Sequence, residues 1–316
     1  MDSLQSSINI TLPIFIMMSI GWFSRKKNIV THELLDGINR FNSKILLPIL
    51  LFYNTYTTDL QQVFNIRLLT FAILSLLFLC IISFRAAAPV EKVPERRSVT
   101  AISVFRSNYI IFGLVIAKNL CGEDNLGPVS MLAAIIIPLM HLLCIIVLEM
   151  GHPGKTHFSS LLLSFVKNPI LLASVAGFTL QYLPFRLPDI ILEAVHDVSR
   201  CASPLSFIVL GGMFRLDALK KNFRNLMFGL IGKLVVVPAI MIPLAIFAGF
   251  SGPDLVALIS LYIAPVAINL LNFAKAMNAD VELAGQYIVL SSIISIFTIF
   301  CWIFIINLFN IICLKV

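Results

Sequence analysis

An all-α protein that crosses a membrane many times is the fold class this sequence predicts. Three observations carry that prediction: the composition, a series of apolar runs of spanning length, and a repetition of the first half in the second. The 316 residues are 59% hydrophobic and 12% charged, whereas soluble chains carry about 25% charged residues. With a mean hydropathy of +0.97, a soluble fold would expose apolar patches that soluble monomers avoid. At roughly 20 residues per crossing, the chain has room for about ten spans and no separate soluble domain. Nucleic-acid binding is excluded as a main role.

The apolar runs, bounded by charge or by Gly/Pro clusters, cover roughly residues 8–23, 36–57, 66–86, 98–120, 128–150, 160–183, 189–214, 223–250, 254–277 and 283–312, and are read as ten helices. The first follows a segment without Lys or Arg and ends at Arg25-Lys26-Lys27. That order reverses a cleavable leader, so the run is expected to remain as a span. Fourteen Lys and Arg residues fall after the odd-numbered spans, from Arg25 through the segment around Glu91 to Arg97 and on to Lys275, against Arg67, Lys118, Arg186 and Lys315 on the opposite side. Basic residues concentrate in cytoplasmic loops, which places both termini outside the cytoplasm of a plasma or inner membrane. The six cysteines include no CxxC pair and five lie in apolar runs. They read as small apolar fillers, and neither a metal site nor a cofactor is expected.

The second half matches the first at a shift of 156 to 157 residues. Pro13-Ile14 and Gly21 recur as Pro169-Ile170 and Gly177; Pro48 recurs as Pro204; Arg67, Leu69 and Phe71 recur as Arg224, Leu226 and Phe228; Ile116-Ala117-Lys118 falls on Phe273-Ala274-Lys275. Four matches in register over four pairs of spans predict an internal repeat. It divides the chain into residues 1–150 and 151–316, each with five spans. An odd number of spans makes the second copy enter the membrane from the other side, giving the inverted repeat found in many secondary transporters.

Backbone amides find no water in hydrocarbon, so an interrupted span marks a place packed in protein or lining a cavity. The fourth span contains Arg106-Ser107-Asn108-Tyr109-Ile110-Ile111-Phe112-Gly113, and the ninth contains Ala264-Pro265-Val266-Ala267-Ile268-Asn269-Leu270-Leu271-Asn272. Under the repeat shift Asn108 falls on Pro265, at matching depth. Pro265, Asn269 and Asn272 are spaced four and three apart and share one helical face. Helix breaks are therefore expected at Gly113 and Pro265, with Asn108, Asn269 and Asn272 as candidate ligand donors. The competing explanation is a routine proline kink with Asn bonded to a neighbouring helix.

These segments, together with Phe105, Leu114, Asn168-Pro169 and the stretch from Ala274-Lys275 through Glu282-Leu283-Ala284-Gly285-Gln286 to Leu290-Ser291, resemble the auxin efflux carrier superfamily, which includes plant PIN carriers and bacterial malate- or malonate-permease-like proteins. The likeness covers essentially the whole chain. It implies ten helices in two inverted five-helix repeats, a scaffold of spans one, two, six and seven, and a transport part of spans three to five and eight to ten. Helices four and nine would cross at mid-membrane, and a homodimer is also implied. The family's fourth span usually continues Gly-x-Pro, whereas Gly113-Leu114 here is followed by Val115. The long central loop of plant relatives is absent, as in the compact bacterial type.

Charges inside spans are expensive and usually functional. Lys44, Arg200 and Lys233 are expected to snorkel to an interface. Arg106, two residues before Asn108, is a candidate guanidinium for a carboxylate. No carboxylate sits deep in a span, which argues against cation antiport, whereas Asn donors and half-helix N-termini suit a small anion. HExxH, GxSxG and Gly-rich phosphate loops are absent, so no enzymatic activity is expected. The expectation is a secondary carrier of a small organic anion, moved by the membrane potential. The resemblance favours a malate-like dicarboxylate or an auxin-like acid. An anion channel or a membrane-embedded sensor that binds without turnover is the alternative.

Overall fold

The computed structural model describes residues 2–57, 65–151, 169–182, 186–213 and 222–309, and these residues form helices without a named strand. The first helix, α1 (Asp2–Lys26), ends on Arg25 and Lys26, where cations favour a helix C-terminus. Next come α2 (His32–Phe41), a π-helical turn (Asn42–Leu46) and α3 (Leu47–Thr57) in one continuous run. Thr31 caps its start, accepting from Leu34 N–H at 3.1 Å. Asn65 likewise caps α4 (Ile66–Ala87), taking the N–H groups of Arg67 and Leu68.

A proline in the first turn opens α5 (Pro94–Phe105), where its missing N–H is no loss. A break and a π turn (Tyr109–Gly113) separate it from α6 (Leu114–Cys121), which stops at Gly122 with φ of 83°. The remaining helices are α7 (Gly127–Gly151), α8 (Pro169–Tyr182), α9 (Asp189–Arg200), α10 (Ala202–Gly212), α11 (Phe223–Ile231), a third π turn (Gly232–Val236), α12 (Val237–Phe247), α13 (Gly252–Ile263), α14 (Leu270–Ala276) and α15 (Val281–Leu308). Each apolar run read from the sequence holds helix. Four stretches, Ile66–Ala87, Gly127–Gly151, Phe223–Phe247 and Val281–Leu308, are long and apolar enough to cross a bilayer. Apolar side chains such as Phe247, 92% exposed, stand outward; in water they would be a liability, and facing lipid they are not. The basic residues Lys155, Arg215, Lys220, Lys221 and Lys315 of the charge count lie outside the described residues.

Glycines set the closest helix contacts. A Cβ on Gly21 of α1 would lie 1.8 Å from the Ile208 carbonyl oxygen of α10, and one on Gly177 of α8 would lie 2.8 Å from the Phe52 carbonyl oxygen of α3. Without a side chain the backbones touch, and dispersion replaces the hydrophobic drive that lipid removes. Gly21 and Gly177 differ by the repeat shift, as do Phe52 and Ile208. The first apolar run of each half thus packs on the second apolar run of the other.

The ends of the helices are tied in the same reciprocal way. Arg67 donates to the Ala248 carbonyl just past α12, and Asn65 Nδ2 donates to Asp254 Oδ2 at 2.6 Å. At the other end Arg224 Nη2 donates to the Pro89 carbonyl at 3.3 Å, while Asn222 Oδ1 accepts from Arg96 Nη2 at 2.7 Å. Arg96 also bonds Glu91 at 2.8 Å and lies 3.4 Å from Asp280. Glu91 in turn accepts from Asn225 Nδ2.

Candidate functional site

The two irregular segments meet. Arg106 has φ of −80° and ψ of 117°, which ends α5 in extended backbone; Ala264, with φ of −64° and ψ of 141°, does the same to α13. Ser107 and Val266 form an antiparallel bridge, and Asn108 donates its backbone N–H to the Pro265 carbonyl at 2.7 Å. Each break thereby supplies the hydrogen-bond partners that the other lost. Side chains complete the join: Ser107 Oγ donates to the Leu261 carbonyl at 2.5 Å, Tyr109 to that of Ala257 at 3.1 Å, and Val266 N–H donates to Ser291 Oγ at 3.1 Å.

The interruption of the fourth span lies at Arg106–Asn108 and not at Gly113, which corrects the sequence expectation for that residue. Gly113 ends a π turn that runs straight into α6. A Cβ there would come within 2.7 Å of the Tyr109 ring, so the glycine makes room for that ring rather than breaking the chain. At Pro265 the chain is interrupted as well, since α13 ends at Ile263 and α14 begins at Leu270.

A cavity of about 30 Å³ sits at the crossing, lined by Asn39, Asn42, Arg106, Asn108, His141, Ser206 and Asn269 among others. Since about 10–15 Å³ on this measure admits one water, it takes about two water-sized groups. Asn108 and Asn269, one in each half of the chain, both line it. Asn108 Nδ2 and Arg106 Nε are buried donors without a hydrogen-bond partner among the described residues, as is the acceptor Asn42 Oδ1. An unpaired buried polar atom is costly, and two such donors beside one cavity have the chemistry to serve acceptor oxygens. The Asn272 backbone lies in α14, but its side chain is outside the described residues.

Arg106 is 1% exposed. Its Nη1 reaches the Met140 carbonyl at 3.3 Å and Cys144 Sγ at 3.0 Å, and its guanidinium carbon stands 5.0 Å from the Phe273 ring centroid. It is a buried, neutral-partnered cation at the crossing. The snorkelling expectation fits Lys44 and Arg200, both exposed, and fails for Lys233, which is buried and donates to Ser107. Among the described residues the buried side chains include no carboxylate.

A larger cavity of about 1200 Å³ lies on the side of Lys118, Glu123, His196, Arg200 and Asp254, reaching inward to Pro204 and Phe207. Phe207 meets Phe112 edge-on with centroids 4.9 Å apart, so a ring pair adjoins both this cavity and the crossing helix. The Glu123 carboxyl is held below the usual carboxylate range by its bond to Lys118 and by that charge, against a small burial effect, with His196 and Arg200 adding to it. His196 stacks on Tyr53 at 4.7 Å. Sequence reasoning missed Asn42 and Ser206, assigned Ser107 no role of its own and read Lys233 as an interfacial cation. The signal was there as polar residues inside apolar runs, without a means of telling which face they take.

Two interrupted spans that complete each other around unpaired donors, in an otherwise lipid-compatible helical body, define a multi-pass membrane transport protein. Residues 7–158 and 155–303 each match the sequence profile of the family described as membrane transport protein, and the chain belongs to that family, within the auxin efflux carrier superfamily. The resemblance read from the sequence is thereby borne out. A search of curated proteins found no match.

Proposed function

We propose that the chain is a secondary transporter that moves a small organic anion by alternating access. The observation that carries the reading is the pair of unpartnered donors, Asn108 Nδ2 and Arg106 Nε, at a cavity formed where two broken spans cross. Asn108, Asn269 and Arg106, with Asn272 beside them in sequence, bind the carboxylate; a cavity for about two water-sized groups suits its two oxygens. The N-terminus of the continuous Tyr109–Cys121 helix adds positive potential at the same place.

Ten spans form two inverted repeats, residues 1–150 and 151–316. The reciprocal contacts of Gly21 with Ile208 and of Gly177 with Phe52 support that arrangement. Spans one, two, six and seven are the scaffold, against which the other six move. Both termini face away from the cytoplasm of the plasma or inner membrane. A cysteine placed at position 92 in a cysteine-free background resists an impermeant thiol reagent added to intact cells; labelling from outside inverts the topology.

Proteoliposomes test the function. Saturable, substrate-dependent flux of a labelled mono- or dicarboxylate is expected, and internal unlabelled substrate accelerates uptake of the label. Flux without that counterflow identifies a channel, and no flux over a broad panel of organic acids rejects the anion reading.

A further inference from the structure

Lys233 stands in the π turn Gly232–Val236, within the apolar stretch Phe223–Phe247, and is 1% exposed. The wide turn disturbs the regular helical bonding, and the Leu234 carbonyl accepts from Trp302 Nε1 at 2.9 Å. Lys233 Nζ donates to Ser107 Oγ. Ser107 spends its own proton on the Leu261 carbonyl, so its oxygen is committed to the ammonium while the residue lines the crossing cavity beside Asn108.

The surroundings do not balance this charge. Among the described residues no carboxylate is buried and no ion pair involves Lys233. The other buried cation among the described residues is Arg106, next to Ser107 in the chain, and its partners are a carbonyl, a sulfur and a ring. An ammonium held in an apolar span by one neutral acceptor costs more than the packing of a hydrophobic side chain of similar length would return. What explains its retention is a counter-charge, which an anion bound at the crossing supplies.

We infer that Lys233 is a specificity-determining positioning residue: acting through Ser107, its amine, charged when an anion occupies the crossing, gives the cavity a positive charge that selects ligands by their negative valence. The inference rests on the anion-carrier reading. That positive charge attracts in proportion to the ligand's charge, so a dianion gains about twice the electrostatic free energy of a monoanion. The residue is then a determinant of which carboxylates are accepted, without touching them.

The test uses the full-length protein in nanodiscs, with succinate and its monomethyl ester as a matched divalent and monovalent pair. Lys233→Met is expected to leave the ligand-free protein at least as resistant to thermal unfolding. Affinity should fall on the order of tenfold for the ester, and by roughly the square of that factor for succinate, because the lost free energy doubles. In Lys233→Ala, propylammonium should restore succinate binding, whereas 1-propanol, of similar size and uncharged, should not. A Lys233→Met protein that binds both ligands as the wild type does overturns the inference. So does one that unfolds more readily and loses both ligands by the same factor, since the lysine is then structural. If the wild type binds no carboxylate of a broad panel, the anion reading itself fails and the inference falls with it.

Discussion

Arg67 and Arg224, 157 positions apart, each reach into the opposite half of the chain for a backbone carbonyl, that of Ala248 in one case and of Pro89 in the other. Both carbonyls lie just past the end of a long helix, where unpaired C=O groups and the helix dipole favour a cation. Arg67 also covers the Phe250 ring at 5.3 Å. Removing either arginine is expected to cost about 0.3–1 kcal/mol at these exposed sites. The double variant Arg67→Ala/Arg224→Ala should show the sum of the single effects to within about 0.5 kcal/mol, because the two ties share no partner. Thermal or denaturant unfolding in detergent measures both.

Asn108→Ala removes an unpartnered buried donor, so the ligand-free protein should be no less stable, while the carboxylate loses a hydrogen bond. The expected penalty is about 1.5–3 kcal/mol for a charged partner, up to about two orders of magnitude in affinity. Asn269→Ala should weaken binding in the same direction. Tracer binding to purified variants reads the effect. If both variants keep the wild-type affinity, the asparagines are packing residues.

Gly21 and Gly37 make opposite predictions for one substitution. A Cβ at Gly21 would sit 1.8 Å from the Ile208 carbonyl oxygen, whereas one at Gly37 would have nothing within 4 Å. Gly21→Ala forces α1 and α10 apart and should cost about 1–3 kcal/mol, as overpacking does. Gly37→Ala, within a helix, should stabilise by roughly 0.5–1 kcal/mol. Comparative thermal unfolding of the two variants decides the matter.

Glu91 makes stability depend on pH. Burial pushes its carboxyl up, but the Val93 N–H, the Arg96 and Asn225 side chains and the Arg96 charge outweigh that and hold it below its ordinary 4.5. A carboxyl with a depressed folded value contributes in full above the ordinary value. The contribution fades as pH falls through 4.5 and then through the lower folded value. Glu91→Gln should flatten this part of the profile, while stability above about pH 6 is reduced by the lost pairing with Arg96.

The legible part of this molecule was what the chain writes in residue types that act locally. Pro265 cannot continue a hydrogen-bonded helix, and the polar run at Arg106-Ser107-Asn108 sits in an apolar span. Their alignment under the repeat shift led to the crossing, and Asn108 and Asn269 do line one cavity. Gly113 misled because glycine serves two ends: it loosens a backbone or clears space for a neighbour, and here the neighbour is the Tyr109 ring. The π turns at Asn42–Leu46 and Gly232–Val236 left no sequence mark, since they answer to packing across the bundle. Lys233 was read as a surface-seeking cation because a single sequence does not reveal that its helix turns that side chain inward to Ser107.

The bond from Asn108 to Pro265 also puts a clock into biosynthesis. The two residues are 157 positions apart, and at about 5–20 residues per second a ribosome needs roughly 8 to 30 seconds to supply the second after the first. Throughout that interval the unwound stretch of the earlier half has no native backbone partner, in a solvent that offers none. A nascent chain must hold that stretch in the insertion machinery, in a water defect or on a chaperone until its counterpart is made, so the last native contact at the crossing is also the one longest awaited.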